Sequence, residues 1–162
     1  MNISLSEVIA KKQEDKDVFQ SLEGHTEDSL LVFKDYLSKN TPALKRFSKD
    51  FALNYDFFLS TIYLSVFLHD IGKLTQEFQK NIRQSKPCGA ISHPFFSLPF
   101  IHTSLHGNHK ELELILRLCI LSHHSQLYNR IYEDARLNNK VTYLLEPMKA
   151  FIDKAEDIFK KI

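Results

Sequence analysis

The chain has 162 residues, of which 43% are hydrophobic and 25% are charged, a balance that excludes a disordered or fibrous chain. Its formal net charge of +1 gives no global electrostatic case for a nucleic-acid partner. Four glycines and five prolines are few, which favours helices over a turn-rich β fold. We therefore expect an all-α protein with a single domain over residues 1–162. No signal peptide or membrane span is recognisable, which predicts a cytoplasmic protein without a membrane partner.

Hydrophobic periodicity predicts a helical chain, and no alternating pattern indicates a convincing strand. The predicted segments are, in chain order, residues 25–38, a new segment starting at Thr41-Pro42, 55–70, 75–84, a helix with Pro94 in its first turn, 108–124, and a last helix from near Pro147 onwards. Gly72 is the expected stop of the third segment. Pro99 is expected to kink or break the helix that contains it.

The most informative stretch runs from Leu68 to Lys73, where a histidine and an aspartate follow directly on a long apolar run. That run, residues 57–68, is apolar nearly all round, as a buried helix would be. Ending a buried helix in two ionisable groups is costly unless something pairs with them. Because imidazole and carboxylate are natural ligands of divalent metals, His69 and Asp70 indicate a metal site.

Helical spacing places a histidine on the inward face of three predicted helices. The three stripes consist of Phe58, Ile62, Val66 and His69; of Leu112, Leu116, Cys119 and His123; and of His25, Ser29, Val32 and Tyr36. A lone inward histidine is more often a hydrogen-bonded core residue, but three such helices together with Asp70 and the doubled His123-His124 favour ligation. The remaining histidines fit no stripe and are expected at the surface: His102, His106 and His109. Cys88 and Cys119 are expected to be reduced and partly buried.

The order His25, His69-Asp70, Lys73, His93, His123-His124 resembles the HD superfamily of metal-dependent phosphohydrolases. More narrowly, three segments resemble the HD nuclease of type I CRISPR systems, which works with or is fused to a DNA helicase. These segments are residues 69–79, the stretch from Ser92-His93-Pro94 to Leu98, and Ser122-His123-His124. The resemblance covers roughly residues 20–130 and implies an HD-domain helical bundle with a metal site in its centre.

The resemblance also implies two metal positions that share one carboxylate. His25, His69 and Asp70 would hold the first ion together with a later aspartate. Asp70 would bridge to a second ion held by a further set of histidines: His93, His123 and His124. Such a pair of ions can lower the pKa of a shared hydroxide and aim it at a phosphodiester.

The donor set, with its many imidazoles, favours manganese, iron, nickel or cobalt over calcium; magnesium is also compatible, and zinc would be expected to close the site more tightly.

Asp70 and Lys73 are the candidate catalytic residues. Lys73 lies one helical turn past Asp70 and is expected to meet the scissile phosphate as a point charge. The alternative for Lys73 is a solvated surface lysine that follows a helix stop.

The late aspartate of the family has no clear counterpart. Asp153 and Asp157 are expected to face solvent, because the apolar residues of the last helix lie on its opposite side. Two alternatives therefore remain open: Asp134 takes this role, or the chain is a C-terminally truncated fragment whose aspartate lay beyond Ile162.

Three functions are compatible with these motifs. The first is a nuclease, a phosphodiester hydrolase that acts together with a CRISPR helicase and surveillance complex. Its substrate would be single-stranded DNA, and RNA remains an open alternative. The second is a phosphohydrolase of nucleotides or small phosphoesters, and the third is a weakly active metal-binding docking domain. The position of His25 ahead of His69 argues against the permuted HD domain of type III polymerase-like subunits.

Two groups of basic residues are either solvated faces or guides for a phosphate backbone: Lys34, Lys39, Lys45, Arg46 and Lys49, and Lys73, Lys80, Arg83 and Lys86.

Overall fold

The structure is a computed structural model that describes residues 3–12, 18–86, 93–105, 110–123 and 142–159. Within these ranges most residues are helical, which confirms the all-α prediction. The helices are α1 (Leu22–Asp50), α2 (Tyr55–Leu68), α3 (Gln76–Arg83), α4 (His93–Leu105), α5 (Lys110–Ser122) and α6 (Leu145–Phe159). Short 3-10 turns lie at Leu5–Glu7 and Ile71–Leu74.

Helix α1 is longer than the sequence predicts, because it continues through Pro42 instead of restarting there. Proline removes one backbone donor, which loosens the hydrogen bonding of the preceding turn. Side chains next to the proline bond to carbonyls of that turn: Thr41 Oγ1 donates to Leu37 O at 2.6 Å, and Asn40 Nδ2 donates to Tyr36 O at 2.9 Å. The predicted break at Thr41-Pro42 is therefore wrong.

Helix α2 is the buried helix that the apolar run predicts. It begins after Asn54, whose side chain accepts from Phe57 N, and it ends at Leu68, two residues before the predicted end. The stretch Tyr55–Leu74 is long and apolar enough to cross a membrane, but 61% of its most apolar window is buried in the fold. That burial is typical of a core helix, and Phe67, close to the end of α2, stacks on Phe151 of α6 with ring centroids 4.6 Å apart.

The helices after the HD dipeptide agree with the predicted segments apart from their ends. Helix α3 matches the segment 75–84, with Thr75 as its cap. Pro94 lies in the first turn of α4 as predicted. Pro99 does not break that helix, which runs on to Leu105, so a break at this position is wrong. Helix α6 begins at Leu145, two residues before Pro147.

A short antiparallel hairpin precedes α1 and was not predicted. Its strands are β1 (Ile9–Lys12) and β2 (Phe19–Ser21), which pair with a register shift between Ile9 and Lys11. Strands of four and three residues are too short to show an alternating pattern in the sequence. The hairpin joins the core through Val8, which is fully buried and whose carbonyl accepts from Leu22 N at 2.7 Å.

Two expectations about the helix stripes are wrong. Val32 of α1 is 70% exposed, and Cys119 of α5 is a free, exposed cysteine instead of a partly buried one. Both stripes border an open cleft between α1, α2 and α5, so an apolar stripe here does not mean a closed interface. Cys88 lies outside the described residues.

Candidate metal centre

Asp70 lies at the centre of the site and is fully buried. It follows α2 directly, at the point where the chain turns from that helix into the 3-10 turn Ile71–Leu74. Its two carboxylate oxygens face different partners. Oδ2 lies 3.0 Å from His25 Nε2 and 3.4 Å from His69 Nε2. Oδ1 lies 2.9 Å from His93 Nε2 and 3.3 Å from His123 Nε2.

Four helical elements therefore bring one imidazole each to the same carboxylate. His25 comes from the first turns of α1, His69 from the end of α2, His93 from the start of α4, and His123 directly follows α5. Their ligand atoms fall into two groups in which all atoms lie within 4.8 Å of one another. The groups are His25, His69 and Asp70, and Asp70, His93 and His123. Asp70 belongs to both, so the geometry offers two adjoining cation positions with a shared carboxylate.

Hydrogen bonds to the backbone fix which ring nitrogen faces the carboxylate. His69 Nδ1 lies 2.6 Å from Val66 O, and His123 Nδ1 lies 2.5 Å from Ile120 O. A carbonyl oxygen only accepts, so Nδ1 carries the proton in both rings, and Nε2 of the neutral ring has only a lone pair. That lone pair points at a carboxylate oxygen, which also only accepts. A cation between them resolves this conflict, so the donor set fits a divalent metal ion.

The electrostatics of the metal-free cluster support the same assignment. Burial alone would raise the pKa of the Asp70 carboxyl, but hydrogen bonds from His123, His25, His69 and His93 hold the pKa well below its usual value. Without an ion, His69 and His123 can donate these bonds only when Nε2 carries a second proton, which is the charged form of the ring. Burial lowers the pKa of His93 to about 4, which keeps its ring neutral and able to ligate at neutral pH. The pKa of His69 is lowered by burial, but the hydrogen bond to Asp70 raises it above its usual value overall.

The chain is similar to a known protein family and to a named archaeal protein. The family model described as "Cas3, HD domain" matches residues 10–161. The chain belongs to this family. It is also 36% identical over 95 residues to a protein of Methanocaldococcus jannaschii named "Putative CRISPR-associated nuclease/helicase Cas3". The aligned region covers 59% of this chain and 13% of that relative, and no solved structure matches. The resemblance to the CRISPR HD nucleases is confirmed.

Lys73 of this Cas3 HD domain is buried, with 3% of its surface exposed, so the surface alternative for this residue is wrong. Its Nζ lies 2.6 Å from Asp70 Oδ2, the oxygen that also faces His25 and His69. The ammonium group also lies 5.9 Å from the centre of the Phe78 ring. Lys73 therefore neutralises and orients the carboxylate of the cluster.

Ser97 is a supporting residue of the Cas3 HD domain that sequence reasoning missed. It is fully buried on α4, one turn after His93, and joins that helix to the HD turn. Its Oγ accepts from Gly72 N at 2.9 Å and donates to His69 O at 2.8 Å. Through these bonds Ser97 holds the His69-Asp70 turn against the helix that carries His93. Its position inside the stretch 92–98, which resembles the family, was the available signal.

Gln79 is a second missed residue. It is fully buried and makes hydrogen bonds at both ends of its amide. Its Oε1 accepts from Ile9 N at 3.0 Å and from Arg83 Nη1 at 2.6 Å. Its Nε2 donates to Ile9 O at 2.8 Å and to Lys73 O at 3.0 Å. Gln79 thereby ties strand β1 to the turn that holds Lys73. Its position inside the 69–79 segment was the available signal.

Several of the predictions fall on residues that the structure does not describe. His124 and Asp134 lie outside the described residues, as do His106 and His109. The side chains of His102 and Asp157 are likewise not described. Asp153 is exposed on α6, as the helix pattern predicts.

Proposed function

We propose that this chain is the metal-dependent nuclease domain of a type I CRISPR interference system and cleaves single-stranded DNA. Membership of the Cas3 HD family supports a CRISPR-associated nuclease role. The observation that carries the finer proposal is the division of the Asp70 oxygens: one faces His25 and His69, and the other faces His93 and His123. A buried carboxylate shared between two imidazole sets is suited to bridging two cations.

In this proposal His25, His69 and Asp70 hold one divalent ion. Asp70, His93 and His123 hold the other, which His124 completes by resemblance to the family. When bound, the ions supply Lewis acidity towards water and towards the phosphodiester. The backbone hydrogen bonds of His69 and His123 keep each Nε2 directed at the centre, so the rings are oriented before an ion arrives.

Lys73 and Asp70 are the residues proposed to be needed for catalysis. Because the Lys73 ammonium is buried against Asp70 Oδ2, we assign it a positioning role instead of direct contact with the scissile phosphate. Its positive charge offsets part of the carboxylate charge and fixes the orientation of Oδ2. Asp70 would be a ligand of both ions, and among the described residues no second carboxylate lies at the cluster.

The proposed ions are transition metals. A set of four imidazoles and one carboxylate suits iron, nickel or cobalt and is compatible with manganese, whereas calcium and magnesium prefer oxygen-rich shells. The proposed partners are a CRISPR-associated helicase and its surveillance complex in the cytoplasm. The name of the archaeal relative, a nuclease/helicase, supports these partners. The region aligned with this chain covers only 13% of that relative.

The test is cleavage of a labelled single-stranded DNA with manganese, nickel or cobalt, before and after chelation. Asp70→Ala should abolish the cleavage, because it removes the shared ligand of both positions. Asp153→Ala, at an exposed aspartate of α6, is the matched control and should cut like the parent. Equal rates for Asp70→Ala and the parent would overturn the proposal. Hydrolysis of free nucleotides without cleavage of polynucleotides would favour the small-phosphoester alternative.

A further inference from the structure

An open apolar cleft adjoins the metal centre on the side of α1, α2 and α5. Its volume is about 910 Å³, at the upper end of the 300–1,000 Å³ typical of ligand pockets. Apolar and aromatic side chains line most of it, among them Tyr36, Phe47, Phe51, Phe58, Ile62 and Val66. His69 and His123 line it as well. The cleft and the metal centre therefore share two of the proposed ligands.

Three phenylalanines in the cleft form a stack that leads from the core to solvent. Phe58 of α2 is 6% exposed, Phe47 of α1 is 41% exposed, and Phe51 at the end of α1 is 64% exposed. The Phe47 and Phe58 rings are 5.3 Å apart at an angle of 23°, and the Phe47 and Phe51 rings are 4.5 Å apart at 31°. The outermost ring therefore leaves much of its surface open to a further planar group.

The charges beside this stack are mainly positive. Lys45, Arg46 and Lys49 are exposed on the last turns of α1, which carry Phe47 and lead directly into Phe51, while Asp50 and Asp56 are the exposed acidic residues nearby. These residues belong to the first basic group of the sequence, which the metal centre does not use. Aromatic rings beside exposed cations are the usual features of surfaces that bind single-stranded nucleic acid.

We propose that this cleft is a base-stacking subsite for the single strand whose phosphodiester is held at the metal centre. The inference rests on the proposed function and extends it to substrate recognition. Unpaired bases stack on Phe51 and enter the cleft, while the basic residues of α1 face the phosphates. Stacking of this kind does not depend on which base is present, so the subsite favours unpaired strands over duplexes without reading sequence.

The observations favour nucleic acid over an apolar protein segment as the occupant. An apolar segment would require neither the flanking cations nor contact with the metal ligands His69 and His123. The two occupants also differ in what they need from Phe51, because a leucine can replace its apolar area but not its ring face. Substitution by leucine therefore separates the two.

The test is metal-free binding of a labelled oligothymidylate and of an abasic strand with the same backbone, in chelator at low salt. The parent should bind the abasic strand roughly ten-fold more weakly, since one stacked base contributes about that much. Phe51→Leu and Phe51→Ala should lose roughly the same factor for the thymidylate and nothing further for the abasic strand. Phe51→Trp should restore the affinity. Phe19→Leu, at a 43% exposed phenylalanine of β2 outside the cleft, is the control.

Three outcomes would overturn the inference: Phe51→Leu binding the thymidylate like the parent, the parent binding both strands equally, or the parent binding neither. Because the assay contains no metal and measures no cleavage, its result is separate from the test of the nuclease activity. If the parent cleaves DNA in the nuclease assay while Phe51→Leu binds the thymidylate like the parent, the proposed function stands and the subsite is rejected. Circular dichroism of each variant checks that the exposed substitution leaves the helices intact.

Discussion

A Cβ atom placed on Gly72 would lie 2.0 Å from the carbonyl oxygen of His93. Backbone atoms of α4 thus occupy the space that any side chain at position 72 would need. The close approach is what brings His93 within 2.9 Å of Asp70 Oδ1. Because α2 already ends at Leu68, Gly72 is not needed to stop that helix. A glycine is needed at position 72 because α4 packs directly against its backbone.

Gly72→Ala should separate α4 from the HD turn. We expect a loss of about 2–4 kcal/mol in the free energy of unfolding, measured by urea denaturation, together with weaker metal binding. Gly24→Ala is the control, because its Cβ would meet only Ser21 Oγ at 3.3 Å, and it should change stability by about 1 kcal/mol or less. Parent-like stability and metal binding in Gly72→Ala would contradict the described contact.

Ser97→Ala should weaken the same junction by a different route. The substitution leaves Gly72 N and His69 O without their described partner in a buried place, which costs about 1–3 kcal/mol. Urea denaturation measures this loss, and calorimetric titration with manganese should show weaker binding, since the His69-Asp70 turn is less well held. A stability within about 0.3 kcal/mol of the parent would show that these hydrogen bonds are not maintained in solution.

The side chains that meet at Asp70 could be predicted from sequence because each lies at a recognisable place on a helix. His69 and Asp70 end the most apolar run of the chain, and His93 directly precedes a proline that suits a first helical turn. Ser97 and Gln79 could not be found in this way. Their importance comes from partners that are distant in sequence, 25 residues away for Gly72 and 70 residues away for Ile9.

The fold class was predictable, but several boundaries were not. Pro42 and Pro99 were expected to interrupt helices, yet both lie inside them. Local propensity disfavours a proline there, whereas packing of a long helix against its neighbours outweighs that cost. The hairpin of β1 and β2 was missed because its pairing depends on the docking of Ile9 to Gln79, a contact that no local pattern encodes.

Lys73→Gln should lower the rate of cleavage without lowering metal affinity. The ammonium competes with an ion for Asp70 Oδ2, so its removal leaves that oxygen more available while the carboxylate loses its orientation. We expect a fall in kcat of roughly ten-fold or more, with metal affinity equal to or higher than that of the parent. Lys80→Gln, at an exposed lysine of α3, should behave like the parent. A parallel fall in affinity and rate would assign Lys73 a purely structural role.

Metal affinity should fall as the pH is lowered from 8 to 5. An imidazole must be neutral to ligate, and the pKa of His69 is raised above its usual 6.5, so protons compete with the ion already near neutral pH. His93, with a pKa of about 4, stays neutral over this range and adds no competition. Below the pKa of His69 we expect roughly a ten-fold loss per pH unit, with proton release on binding seen by calorimetry in two buffers. An affinity independent of pH would be inconsistent with ligation by His69.

The most direct test of the metal centre is anomalous diffraction from crystals soaked in manganese, recorded together with the metal content per chain. The account predicts anomalous peaks next to Asp70, with the position beside His93 and His123 occupied more fully than the position beside His25. The inequality follows because the described residues give the His25 side three ligands, while the other side is completed by His124 in the proposed assignment. Manganese bound only at surface carboxylates, with no anomalous peak near Asp70, would contradict the account.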